Sequence, residues 1–228
     1  MSKRRTAALI YNPHSGAHRN RDRGSDAAAM ISRLADVGVD AEPWPTPGPG
    51  TAAQLAQKAV AADVDLVIAS GGDGTINEVL QGLAETATPL AIWPGGTANV
   101  LARELKIPTD PEGVVASIVA DRRERIALGK AGSRYFALMA GIGLDASIVR
   151  GVSPQLKATY GEGAFWVSGL KHVVGWRPEP FTIEVDGIAY EGAAVVIGNA
   201  ARYGGSLSIT PLASLAEAEL DVCIFPTR

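Results

Sequence analysis

The residues with the clearest capacity for chemistry are Ser70-Gly71-Gly72-Asp73-Gly74-Thr75, which end one apolar run and open an amphipathic one. Three glycines allow a sharp turn and expose amide N–H groups with no side chain in the way, and a following helix N-terminus adds favourable potential for an anion. A phosphate suits such a loop. The carboxylate of Asp73 would repel a bare phosphate, so it points to a divalent cation that mediates the contact or to a hydroxyl held there. Taken alone, the segment also reads as a tight strand-to-helix turn capped by Asp73. Two further loops follow other apolar runs: Asn12-Pro13-His14-Ser15-Gly16 and Pro94-Gly95-Gly96-Thr97-Ala98-Asn99. Three loops of glycine and short polar donors on one edge of a sheet form a crevice suited to a polyphosphate.

Other chemistries fit less well. Gly-Lys-Ser/Thr is missing, so the phosphate loop is not of the P-loop kind. Gly141-Ile-Gly143-Leu-Asp-Ala146 matches the dinucleotide fingerprint formally but leads into antiparallel strands. There is no Gly-x-Ser-x-Gly elbow, and His14, His18 and His172 show no partner spacing for a hydrolase triad. Arg19, Arg21 and Arg23 suit phosphates or lipid headgroups, and equally a solvated loop of charges. Phe165, Trp166, Leu170, Val173 and Val174 recur at helical spacing, as a core face or an apolar wall for a lipid chain.

The elements that must position these loops alternate. Thr6 to Tyr11 reads as a buried strand, then a helix from Ser25 as N-cap presents Met30, Ile31, Leu34 and Val37 on one face and stops at Gly38. Val39 to Glu42 is a second strand, and the proline-rich Pro43 to Gly50 is read as irregular. Thr51 caps a helix through Ala62, Leu66 to Ser70 is the third strand, Ile76 to Ala84 a helix and Leu90 to Trp93 the fourth strand. Short helices follow, from Asn99 to Leu105 and from Asp110 and Pro111 to Ala120. This order predicts an α/β domain with a parallel sheet over residues 1–121. From about residue 122 the pattern turns antiparallel. Glu124 to Lys130 and Arg134 to Ala140 flank one turn, Phe181 to Val185 and Ile188 to Ile197 flank Asp186-Gly187, and Leu220 to Phe225 is a last strand. With a helical stretch from Gly163 to Trp176, this predicts a second, mainly β domain over residues 122–228.

The 228 residues suffice for a real core, and 46% hydrophobic with 20% charged residues is ordinary for a globular protein. A formal charge of −3 gives no electrostatic reason to expect nucleic acid. The single cysteine, Cys223, excludes an internal disulfide, and with three histidines the soft ligands are too few for zinc. The N-terminal apolar run stops at Asn12-Pro13, too soon for a secretory signal, and the longest uncharged run, Thr86 to Ala102, is interrupted by prolines and glycines. A cytoplasmic protein with only peripheral membrane contact is expected.

Taken in order, Tyr11-Asn-Pro-His-Ser-Gly16, Gly71-Gly-Asp-Gly-Thr-Ile-Asn-Glu-Val-Leu-Gln-Gly82, Pro94-Gly-Gly-Thr-Ala-Asn-Val-Leu-Ala-Arg103, Ala140-Gly-Ile-Gly-Leu-Asp-Ala146 and Gly198-Asn199 with Tyr203-Gly-Gly205 resemble the diacylglycerol kinase catalytic-domain family, which includes soluble bacterial lipid kinases and sphingosine kinases. The resemblance spans residues 6 to 225. It implies an ATP- and Mg2+-dependent lipid kinase with a nucleotide site between an N-terminal α/β domain and a C-terminal β domain. Asn12, Pro13, His14, Ser15, Gly16, Gly72, Asp73, Gly74, Thr75, Ile76, Asn77, Glu78 and Thr97 would contact the nucleotide, with Thr46 at the family's threonine after the second strand. Asp73 would be catalytic, organising the metal-nucleotide complex. The partner implied is a membrane lipid met transiently at the inner membrane surface, and a homodimer is admitted.

Three departures stand out. Val100 follows Asn99 where the family commonly has Asp, and Glu217-Ala218 replaces the Asp-Gly of a structural metal site, leaving Glu217 as the implied ligand at an altered turn. Family members usually continue for several strands carrying an Asp-Gly-Glu general base, so a 228-residue chain is expected to bind nucleotide better than it turns over. A nucleotide-binding module without turnover and an NAD kinase-like enzyme are the alternatives.

Overall fold

The structure, a computed structural model, describes residues 4–15, 22–143, 179–204 and 207–226. The expected helix from Gly163 to Trp176 with His172, the rest of the Gly141–Ala146 motif, and Gly16, His18, Arg19 and Arg21 lie outside the described residues. The chain divides into two compact units, Met1–Arg125 with Gly132–Tyr135, and Ile126–Ala131 with Phe136–Arg228.

The first unit holds a four-stranded parallel sheet of β1 (Arg5–Tyr11), β2 (Val39–Pro45), β3 (Leu66–Gly71) and β4 (Leu90–Pro94), in the order β2-β1-β3-β4. β3 is buried along its whole length, as its unbroken Leu-Val-Ile-Ala run requires of a strand covered on both faces. Five helices, α1 (Arg23–Asp36), α2 (Ala52–Ala61), α3 (Asp73–Leu83), α4 (Val100–Glu104) and α5 (Pro111–Ala120), accompany it. Met30 and Leu34 of α1, Ile68 of β3, Trp93 of β4 and Val114 of α5 meet in one apolar cluster. Asp110 caps α5 by accepting from Gly113 N, with Pro111 in the first turn.

In this unit the structure differs from the sequence reading at both ends of α1, at the end of β2 and at the start of α3, which is Asp73 rather than Ile76. α1 begins at Arg23, since the Asp22 carboxylate accepts from Gly24 N and Ser25 N and so caps ahead of Ser25. Val37 becomes the C-cap and is 44% exposed, off the buried face. β2 runs on through Pro43 and Pro45. It is an edge strand, and Thr46 N donates to Tyr11 O, so by the parity of a parallel ladder the nitrogens of Pro43 and Pro45 point away from β1. Two prolines therefore cost this edge nothing in pairing.

The second unit centres on an antiparallel sheet, ordered β13-β10-β7, of β7 (Met139–Ile142), β10 (Ala194–Gly198) and β13 (Asp221–Phe225). The first expected hairpin contracts to β5 (Gly129–Ala131) and β6 (Arg134–Phe136), because the backbone ahead of it finds other partners: Ala127 N donates to Leu215 O and the Asn199 amide donates to Ala127 O. β8 (Phe181–Val185) and β9 (Ile188–Gly192) pair around Asp186-Gly187, whose φ angles of 51° and 79° suit a tight primed turn. The run expected to continue to Ile197 breaks at Ala193, whose N–H donates to Phe225 O as the chain changes partner from β8 to β13. β11 (Arg202–Gly204) and β12 (Leu207–Ser208) form a small separate ribbon. Asn199 is buried, and its side-chain amide also donates to Ala137 O, so this residue of the fifth motif braces backbone.

Candidate functional site

All four strands of the parallel sheet point the same way, and the pairings Tyr11 with Pro45, Tyr11 with Ser70, and Gly71 with Pro94 bring their C-terminal ends into line. The loops after β1, β2, β3 and β4 consequently leave one edge together, which is where open α/β sheets bind ligands.

Hydrogen bonds lock these loops to one another. Asn12 N donates to Ser70 O at 3.0 Å, and Asn12 Nδ2 lies 3.4 Å from Thr75 Oγ1, so the first loop is tied to the second by backbone and side chain. The Asn12 Oδ1 accepts from His14 N, and its carbonyl accepts from Ser15 Oγ and Ser15 N, folding Asn12–Ser15 into a tight polar turn. His14 is exposed, whereas Asn12, Pro13 and Ser15 are half-buried. Thr46 is buried and stands beside Tyr11 through its N–H. Gly95 N donates to Gly71 O at 2.8 Å, joining the second loop to the third. There the chain packs backbone to backbone: a Cβ on Gly96 would fall 2.4 Å from the Gly72 Cα. Asn99, in the left-handed region at φ 48°, closes the third loop by accepting from Gly96 N and donating to Gly96 O. Thr97 is exposed beside it.

α3 starts at Asp73 with Gly72 as N-cap, so the second loop does deliver a helix N-terminus to this edge. No side chain caps Gly72, which leaves the first-turn N–H groups for other acceptors. Gly71 is needed because a Cβ there would lie 2.7 Å from Thr75 Oγ1. Gly74 is different. A Cβ on it would meet nothing within 4 Å, and its φ is not in the left-handed region, so the protein's own packing does not call for glycine there. Inside a helix glycine costs roughly 0.5–1 kcal/mol relative to alanine.

The two acids of the second motif have separate tasks. Asp73 Oδ1 accepts from Leu101 N at 3.3 Å, linking the start of α3 to the first turn of α4. Its Oδ2 accepts no hydrogen bond among the described residues. Glu78 turns the other way: its carboxylate accepts from Gly50 N at 2.9 Å and Ala52 N at 3.2 Å, capping α2 from the neighbouring helix. The expected cap, Thr51, instead donates its hydroxyl to Gly48 O and makes no capping bond. Ile76 is buried in the interior, and Asn77 O accepts from the Gln81 amide. Val100 is buried at the start of α4.

The half-buried Asp73 carboxylate beside the first-turn amides of α3 fits a Mg2+ carried on a nucleotide, since Mg2+ is held by one or two carboxylates with phosphate oxygens and water. It does not fit a metal held by protein alone, and among the described residues no three His, Cys, Asp or Glu side chains gather as a metal site. Glu217, the ligand implied for a structural metal, is exposed, with its N–H donating to Ser214 O.

Sequence reasoning missed Arg23. The sequence assigns it to phosphates, headgroups or solvent, whereas it is 8% exposed and donates from Nε to Ser15 O and from Nη2 to Gly95 O. The signal was Gly95 in a Pro-Gly-Gly turn, where a Cβ would come within 2.4 Å of that guanidinium.

Known proteins resemble this chain over nearly its whole length. Residues 6–131 match the model of the diacylglycerol kinase catalytic domain, and residues 139–227 that of a YegS C-terminal NAD kinase beta sandwich-like domain. A diacylglycerol kinase of Staphylococcus haemolyticus (strain JCSC1435) is 30% identical over 225 residues, covering 97% of this chain and 67% of that protein. One of Staphylococcus aureus (strain bovine RF122 / ET3-1) is also 30% identical, over 97% of this chain and 70% of its own. The crystal structure of a diacylglycerol kinase from Bacillus anthracis str. Sterne superposes with a TM-score of 0.77 at 28% identity, covering 99% of this chain and 75% of that one.

Proposed function

Because the chain belongs to the diacylglycerol kinase catalytic-domain family, we propose that it is a lipid kinase that transfers the γ-phosphoryl group of ATP to a hydroxyl of diacylglycerol or a similar lipid. The observation that carries this reading is the junction of three interlocked polar loops and an uncapped helix N-terminus at the C-terminal edge of one parallel sheet. Phosphoryl transfer needs chiefly positioning and electrostatic stabilisation, since the protein contributes little covalent chemistry.

In this reading Asn12 to Gly16, Gly72 to Thr75, Asn77 and Thr97 surround the nucleotide, with Thr46 closing the side nearest β2. Their amides and hydroxyls receive phosphate oxygens, and the openness at Gly74 lets the phosphate chain approach the backbone. Ile76 and Glu78 act from behind, one by filling the core under α3 and the other by fixing the start of α2. Asp73 would hold Mg2+, which supplies positive charge to the phosphate oxygens when it arrives with ATP. In the reaction the lipid hydroxyl oxygen forms the new bond to the γ-phosphorus, the bond from that phosphorus to the β–γ bridging oxygen breaks so that its electron pair leaves on ADP, and the hydroxyl proton passes to solvent water. The lipid is reached by peripheral contact, and no helix among the described residues is long and apolar enough to cross a membrane.

Incubation with Mg2+, radiolabelled ATP and mixed micelles of diacylglycerol tests the reading. Label is expected in the lipid phosphate and not in NAD supplied as a competing acceptor. Label in NAD alone, or in neither acceptor despite ATP binding, overturns it.

A further inference from the structure

A buried arginine that donates to main-chain carbonyls of two different loops is an unusual use of charge. Arg23, the first residue of α1, directs Nε to Ser15 O at 3.1 Å in the loop after β1 and Nη2 to Gly95 O at 2.5 Å in the loop after β4. Asp26, one turn along, lies 3.8 Å from Nη1 and offsets the buried charge. The planar guanidinium holds its donors in a fixed fork and stays charged at any working pH, so it sets a distance between its acceptors in a way that a single ammonium does not.

The two carbonyls belong to loops on either side of the central one. β1 and β4 are not neighbours, since β3 lies between them. Asn12 joins the first loop to the second, and Gly95 N joins the third to the second. Arg23 adds the third side, linking first and third directly, so the three loops form a closed ring of contacts. Gly95 serves the same device: its missing Cβ is the space that Nη2 occupies, 2.4 Å from where the carbon would stand.

We infer that Arg23 is a positioning residue, a clamp that fixes the separation of the first and third loops and so pre-forms the seat of the nucleotide's phosphates. The inference rests on the kinase reading for the identity of the ligand, and on geometry alone for the clamp. Pre-formation matters because loops ordered before binding need not be ordered at its expense.

Two variants of the full chain test it, Arg23→Lys, which keeps the charge but loses the fork, and Gly95→Ala, which leaves Arg23 intact but fills its space. In folded protein without nucleotide, hydrogen exchange at Ser15, Gly95 and Gly96 is expected to quicken together in either variant. ATP binding measured by calorimetry should weaken about tenfold or more, the scale of a lost charge-assisted hydrogen bond, while adenosine binding stays at the parent level. Unchanged exchange in either loop of a folded variant, or equal weakening for ATP and adenosine, overturns the clamp. Should Arg23→Lys fail to fold, Gly95→Ala decides by the same readings. If the parent protein binds no ATP, the kinase reading falls, and the exchange measurement still decides the clamp.

Discussion

At Asp73 two jobs share one carboxylate, a hydrogen bond to Leu101 N and the charge proposed to hold a metal-nucleotide complex. Asp73→Asn separates them, because an amide oxygen can keep the first and not the second. We expect lipid phosphorylation to fall by roughly 10²-fold or more, the scale of several kcal/mol of charge stabilisation, with the melting temperature near the parent's. Asp73→Ala should lose the same activity and a further ~1 kcal/mol of stability from the missing bond, read by urea unfolding. Gly74 gives the opposite signature. With nothing within 4 Å of its absent Cβ, Gly74→Ala should stabilise the free protein by about 0.5–1 kcal/mol while weakening ATP binding, a trade that calorimetry and unfolding together reveal. The places of Asn12 and Asp73 at the sheet's C-terminal edge were legible because their motifs sit at strand ends. Those of Arg23 and Glu78 were not, since each bonds to backbone of a segment distant in sequence, and such partners leave no local pattern.

Among the elements, α2 and α3 meet where Gly82 lies against Ala53 O and Ala56, 2.4 and 2.7 Å from a Cβ placed on it. Helix propensity alone would favour Gly82→Ala by up to about 1 kcal/mol, but overpacking against backbone costs about 1–3 kcal/mol or more. The sign should therefore reverse relative to Gly74→Ala, and urea unfolding of the two variants side by side checks it. Strand and helix order could be read from the sequence, and so could the bounds of α2 and α5, whereas the ends of α1 and β2 could not. Periodicity reports burial of a face, whereas the start of α1 is fixed by Asp22 and the length of β2 by the outward nitrogens of Pro43 and Pro45.

At the scale of the whole molecule the two units carry different shares of the burial. Leu9, Ile10, Val67, Ile68 and Ala69 in the parallel sheet are fully enclosed, while Ile188 and Tyr190 on the two-stranded β8–β9 ribbon are 58% and 43% exposed. A lone two-stranded ribbon is marginally stable, and opening is cheapest where few apolar contacts are lost. Native-state hydrogen exchange should show Ile68 exchanging only through global unfolding and Tyr190 through local opening. Equal protection at the two would contradict this ranking. The change from parallel to antiparallel order was legible in the sequence from the Asp186-Gly187 turn, but the break at Ala193 was not, because only the pairing with β13 reveals it.

The meeting of Gly72 and Gly96, main chain against main chain, also governs how this molecule can change over generations. Any side chain at Gly96 must displace the Gly72 backbone, so a single codon change there disturbs two loops at once. Neither position can serve as a dial for altering ligand preference in small steps. Variation is cheaper at exposed Thr97 and His14, which border the same edge without holding it together. New preferences are therefore expected to arise first in the outward side chains around this contact, with the contact itself inherited unchanged.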